Sequence, residues 1–243
     1  MIAAAVATRS QRPAHNASVL SRRAFMVGLL SASASGCVSS LSERSSFGTT
    51  PELVPLQTHY GPLVDDQFSI PAVNLSAINE GYYRQRVHFR TDERPGTIVV
   101  DTANFHLYLV EPGDTAIRYG VALGRAGFEW SGRAEIGSKQ KWPTWTPPDE
   151  MIERQPELEK WSAINGGMPP GLDNPLGARA LYIYQDDRDT LFRIHGTPDV
   201  ATIGSAASSG CVRMINQDVV DLYDRVTEGT EIKVQEVEDR VLV

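Results

Sequence analysis

From Thr97 onward the apolar residues of this chain come in short runs of strand length, separated by turn-forming residues. A period of two places alternate side chains on opposite faces of an extended strand, whereas a helix needs a period near 3.6. "TIVVD" (97–101) is β-branched and apolar, and in "FHLYLVE" (105–111) Phe105, Leu107 and Leu109 share one face. Pro112-Gly113-Asp114 then turns the chain into "TAIRYGVALG" (115–124), completing a hairpin. "ALYIY" (180–184) and "LFRIH" (191–195) form a second pair around "QDDRDT", and "EIKVQEV" (231–237) supplies a closing strand. An earlier strand is expected around Tyr83–Phe89. Strands this short and this numerous predict a mainly β domain, a sandwich or a barrel.

Two short helices are expected within it. "PPDEMIERQPELEKWS" (147–162) carries Pro and acidic residues at its start, and Pro156 should break it into two pieces. In "NQDVVDLYDRVTEG" (216–229) Asn216 is placed to cap, Asp218 lies near the positive end, and Gly229 is placed to end the helix. Val219, Leu222, Tyr223 and Val226 share its apolar face. Between them "GGMPPGLDNPLG" (166–177) is too rich in Gly and Pro for regular structure, and reads as a long loop insertion beside a binding site.

The N-terminal region reads differently. Residues 1–23 hold Arg9, Arg12, Arg22 and Arg23 and no acidic residue, and the thirteen-residue apolar run Ala24–Gly36 follows. That run falls short of the roughly 18 residues a spanning helix needs. With the Ala32-Ser33-Ala34 exit it reads as a secretion signal, and the paired arginines of "SRRAFM" mark the twin-arginine type. "ASGC" (34–37) resembles a lipobox in which Cys37 is lipidated; cleavage after Ala34 is the alternative. Residues 1–37 are therefore read as signal, 38–71 as a Ser/Thr/Pro-rich tether, and 72–243 as the folded domain, with its core at 97–237. The exported part is expected in the periplasm or cell envelope, with no spanning segment. Net charge is −7 for the whole chain and −11 without the four N-terminal arginines, which disfavours nucleic acid as a partner.

The chain has two cysteines, and one lies in the signal region, so no disulfide framework is available inside the domain. Cys211 thus enters an oxidising compartment as a thiol, within "HGTPDVATIGSAASSGCVRM" (195–214). If "LFRIH" is a strand, Phe192 and Ile194 face the core, while Arg193 and His195 face the other way. His195 then ends that strand, with Gly196 breaking it. If "SGCVR" is also extended, Ser209, Cys211 and Arg213 point together and Val212 and Met214 anchor the opposite face. A thiol is mostly protonated at neutral pH, and a neighbouring imidazole that takes its proton makes it a nucleophile. Gly210 allows close approach of a substrate, and backbone N–H groups around Cys211 are placed to bind an oxyanion. Arg213 suits a carboxylate or a carbonyl oxygen. Each residue alone has a plainer explanation as a buried thiol, a capped histidine or a surface charge. No Cys or His spacing suggests a metal site: His59, His88 and His106 fit ordinary sheet or surface positions.

The ordered set "HGT", "IG", "SxGCVRM" and "NQDVVDLYDRVTEGTEIKV" resembles the catalytic domain of the L,D-transpeptidases, the YkuD-type family. The resemblance covers about Thr97 to Val237, and "WPTWTPPDEM…DNPLGARALYI" is similar to the stretch before the active-site segment in one branch. Two positions depart from it: Ser209 stands where many members have a second histidine, and "WSGR" (130–133) where many have Thr-Pro-x-Gly. The resemblance implies an L,D-transpeptidase-like β-sandwich or barrel that acts on peptidoglycan stem peptides without cofactor or metal. It implies Cys211 as nucleophile and His195 as base, the latter oriented by a carbonyl or hydroxyl from Gly196, Ser208 or Ser209. Cys211 would form a thioester with a stem tetrapeptide and release D-alanine, and a stem amine or an envelope-protein lysine would then take the acyl group. An L,D-carboxypeptidase using water, a non-catalytic wall-binding module and a structural envelope domain are the alternatives.

Overall fold

The computed structural model describes residues 59–124, 132–207 and 210–235. The signal region, Cys37, most of the tether, Ser208, Ser209 and the last eight residues lie outside these.

The expected hairpins are present. β4 (Ile98–Asp101), β5 (His106–Glu111) and β6 (Thr115–Leu123) form a meander preceded by β3 (Gln85–His88), and β8 (Arg179–Gln185) pairs antiparallel with β9 (Arg188–Thr197). β10 (Val212–Ile215) and β11 (Glu231–Val234) complete the main sheet together with β7 (Gly132–Lys141), which the sequence pattern did not suggest. β7 contributes one fully buried large side chain, Ile136, and at Gly137 a Cβ would sit 2.2 Å from the Tyr184 ring, so the strand is neither alternating nor apolar.

The choice between sandwich and barrel is settled by one pairing. The sheet runs β10-β9-β8-β7-β11-β4-β5-β6-β3, and β6 also pairs back onto β10. Gln85–His88 of β3 occupies Thr115–Arg118 of β6, while Val212–Met214 of β10 occupies Val121–Leu123 on the same border. Eight strands therefore close into a ring. Most neighbours are antiparallel, with β10–β9 and β11–β4 parallel. Ile98, Leu107, Ile136, Leu181, Ile194 and Met214 are buried in one cluster, into which α2 (Asn216–Arg225) inserts Val219 and Leu222.

The helical insertion breaks where Pro156 requires. α1 (Asp149–Arg154) is followed by a 3-10 turn over Pro156–Trp161. α2 stops at Arg225, ahead of Gly229, and Asn216 is its first helical residue; no side chain caps it. Residues 60–70, assigned from sequence to the tether, carry β1 (Leu63–Asp65) and β2 (Phe68–Ile70). This hairpin is fastened to the barrel: the fully buried Arg179 donates to both Asp65 oxygens at 2.6 and 2.8 Å, and Trp142 Nε1 donates to Asp65 at 2.9 Å. A second apolar cluster joins Tyr60, Ile78 and Tyr83 to Ala122, Ile203 and Ile215, so residues 60–83 pack on the barrel's outer face.

Candidate active site

The parallel register of β9 and β10 sets Val212 against Ile194 and Arg213 against His195. Ile194, Val212 and Met214 are sunk in the core, so by alternation Arg193, His195 and Arg213 belong to the opposite, outer face. Cys211 immediately precedes β10, and continuing the register brings it beside Arg193. The facing expected from sequence is therefore present. The expected strand end is not. β9 continues through Gly196 to Thr197, because β10 needs partners as far as Ile215. His195 thus sits inside a strand paired on both sides, opposite Ala180 of β8 and Arg213 of β10.

His195 is only 4% exposed, and its Nδ1 lies 2.6 Å from the Gly196 carbonyl oxygen. A carbonyl oxygen can only accept, so Nδ1 carries the hydrogen and Nε2 keeps the lone pair. Burial holds the imidazole pKa down to about 4, and the Arg213 and Arg193 charges add to this, against the opposing Gly196 bond. Burial raises the pKa of the half-buried Cys211 thiol, while the backbone N–H of Arg193 and the charges of Arg193 and Arg213 pull it back. In the resting protein both groups are consequently favoured in their neutral forms.

Arg193 is a site residue the sequence reading passed over, although the period of two had put it on the histidine's face. Its guanidinium donates to Asp189 at 2.6 and 2.8 Å and lies 4.4 Å from the centre of the Tyr182 ring. Two arginines thus flank the thiol, one of them already neutralised. Gly210 is buried directly before Cys211. Ser208 and Ser209, both named from sequence as orienting groups, fall outside the described residues; the third group so named, Gly196, meets Nδ1 through its carbonyl. Among the described residues no cluster of three or more His, Cys, Asp or Glu is placed to hold a metal ion.

The Gly/Pro-rich loop is ordered by its own contacts. Asn174 is fully buried and its amide donates to the carbonyls of Pro143, Met168 and Pro169 at 3.0, 3.2 and 3.0 Å. Trp145 and Met168 exchange backbone hydrogen bonds across it at 3.0 and 2.7 Å.

Residues 95–234 match the model of the YkuD family, the L,D-transpeptidase catalytic domain. The chain belongs to that family. Two curated relatives from Escherichia coli K12 are "Probable L,D-transpeptidase ErfK/SrfK", 34% identical over 142 residues, and "Probable L,D-transpeptidase YbiS", 35% identical over the same length. Each alignment covers 56% of this chain and 43% of the relative, so this YkuD domain is shared while the chain spans under half of their length. A solved structure from Brucella melitensis, described as a probable carnitine operon oxidoreductase, is 51% identical. It covers 63% of this chain and 94% of that one at a TM-score of 0.45, and at that score it bears on neither fold nor activity here.

Proposed function

We propose that this domain is a peptidoglycan L,D-transpeptidase that works through a thioester on Cys211. The observation that carries the reading is the commitment of His195 Nδ1 to the Gly196 carbonyl at 2.6 Å, on the face shared with Arg213. With Nδ1 occupied, Nε2 is the ring atom available for proton transfer.

In the first half-reaction Sγ attacks the carbonyl at the L-centre of a diamino acid bonded to a terminal D-alanine. The thiol proton passes to Nε2, and the oxyanion is met by backbone N–H groups around Gly210 and Cys211; one such donor is worth about 3–4 kcal/mol in other acyl-transfer enzymes. The C–N bond then breaks, the imidazolium returns its proton to the departing D-alanine amine, and the acyl group stays on sulfur. In the second, an acceptor amine attacks the thioester, the C–S bond breaks, and the amine proton returns through His195 to the thiolate. A stem-peptide amine gives a cross-link, an envelope-protein lysine gives attachment, and water gives the carboxypeptidase product. Arg213 binds a substrate carboxylate or carbonyl on the outer face.

Twin-arginine export through residues 1–37 would bring this chemistry to the wall, with lipidation at Cys37 as the anchored form and cleavage after Ala34 as the free one. Replacing Arg22 and Arg23 by lysine should leave the protein in the cytoplasm. The central test is intact mass spectrometry of the protein incubated with a defined stem tetrapeptide or a carbapenem. A single acyl adduct on Cys211 is expected, and with an amine acceptor the product masses identify the route. Folded protein that never gains the adduct would end this reading.

A further inference from the structure

The residue expected to cap α2 has another use. Asn216 is 8% exposed, and its carboxamide turns away from the helix into a slot between two glycines. A Cβ on Gly177 or on Gly196 would lie 2.2 Å from Asn216 Oδ1, so both positions leave room for that one side chain. Within the slot, Oδ1 accepts from the Ala178 backbone N–H at 2.9 Å, and Nδ2 donates to the Thr197 carbonyl at 3.2 Å. Both polar atoms of the amide are used, as a buried amide requires.

These bonds converge on the base. Gly196, whose carbonyl accepts from His195 Nδ1, is wedged against Asn216, and the following residue, Thr197, is held by it. Asn216 also directly follows β10, the strand of Arg213 and the continuation of Cys211. Gly177 and Ala178 are the exit of the loop spanning 166–177. One side chain therefore joins the strand of the base, the strand of the nucleophile and the loop beside them.

We propose that Asn216 is a positioning residue for His195: by fixing the Gly196–Thr197 backbone it holds the Gly196 carbonyl on Nδ1 and keeps Nε2 free for the thiol. This rests on His195 being the base of the acyl transfer. The backbone pairing of β9 with β8 and β10 preserves the strand without Asn216, but not the angle of one carbonyl. Outer partners that orient metal-bound histidines typically matter by about 10–100-fold, and we carry that scale over to this imidazole. A shift near 1 Å in a reacting group can cost about 100-fold in rate.

The test uses the full chain with Asn216→Ala, and with Asn216→Ser as the milder variant should the first not fold. Two quantities are read: the rate constant of Cys211 acylation by the tetrapeptide, and the His195 tautomer from its imidazole nitrogen resonances. The expected result is an acylation rate lower by about 10–100-fold with KM nearly unchanged. Alongside it, the wild-type signal of a single Nδ1–H tautomer should become a mixture. A Gly196→Ala change should weaken the wild-type protein more than it weakens Asn216→Ala, since the two share one volume. A variant that keeps the single tautomer and acylates within threefold of wild type would overturn the proposal. If the wild type never acylates while the tautomer still responds to residue 216, the transpeptidase reading fails and the positioning relation stands.

Discussion

Two buried polar clusters flank this fold, and they use burial in opposite ways. Around His195, burial pushes the imidazole pKa down to about 4, and Nδ1 is bonded to the Gly196 carbonyl. At the start of α2, Asp218 is fully buried, and its pKa is pushed up to about 7, burial outweighing the Arg84 charge. Tyr60 donates to Asp218 Oδ2 at 3.2 Å and Arg84 Nε stands 3.6 Å from Oδ1, which has no hydrogen-bond donor among the described residues. The Arg84 backbone N–H closes the cluster onto the Tyr60 hydroxyl at 2.5 Å. That second cluster fastens residues 60–84 to α2, whereas the first holds His195 through its Nδ1 bond, on the strand face of Arg193 and Arg213. A shifted pKa alone thus marks dryness, and what separates the two clusters is what each group faces: Asp218 lies between Tyr60 and Arg84, whereas His195 shares its face with Arg193 and Arg213 beside Cys211.

The largest effects should fall on the first cluster. Cys211→Ser should abolish thioester formation, and His195→Ala should slow acylation by about 100- to 10,000-fold with the fold retained. Equal acylation by His195→Ala would remove the distinction drawn above. Next, a base whose pKa is held near 4 stays neutral well below the ordinary histidine range. The acid limb of kcat/KM should accordingly lie near pH 4, and a limb near 6.5 would mean that substrate or water rehydrates the ring. The same depression makes His195 cost stability as pH falls from 6.5 toward 4, because the unfolded chain binds the proton more tightly.

Asp218 has the reverse sign. Its folded-state pKa is raised, so its contribution is complete below pH 3.8 and is lost as pH rises through about 7. Asp218→Asn cannot ionise. Relative to this variant, wild-type melting temperature should fall on going from pH 4 to 8, by on the order of a few degrees. A constant difference across that range would show the carboxyl ionised throughout. The smallest effect concerns tuning of the thiol. Arg193→Gln should raise the Cys211 pKa, and Asp189→Asn, which unmasks the guanidinium, should lower it; alkylation rate against pH reads both. Shifts of the same sign in the two variants would mean that packing against Tyr182, rather than charge, is what Arg193 supplies.

Much of this could be read from the chain. β4, β5, β6, β8 and β9 were legible because alternation or β-branching survives wherever a strand has one face in a core. β7 was not, since Arg133, Glu135, Lys139 and Lys141 surround its buried Ile136 and Gly137 makes room for an aromatic ring. β1 and β2 have three residues each, too few for any period. The outer-face grouping of His195 and Arg213 followed from parity, which also put Arg193 on that face without suggesting that it stands beside Cys211. Gly196 was misleading for a physical reason. It resembles a breaker, but its lack of a side chain serves the Asn216 carboxamide, a tertiary demand invisible in the local sequence.

Closure of the ring through β6 and β10 has a consequence for how such a molecule resists association with its neighbours. β10, which directly follows Cys211, is bordered on both sides, and β3 alone presents an open border of the main sheet among the described residues. Unwanted strand addition by a neighbouring chain would begin there, at a four-residue segment carrying Arg86 and His88, away from the sulfur.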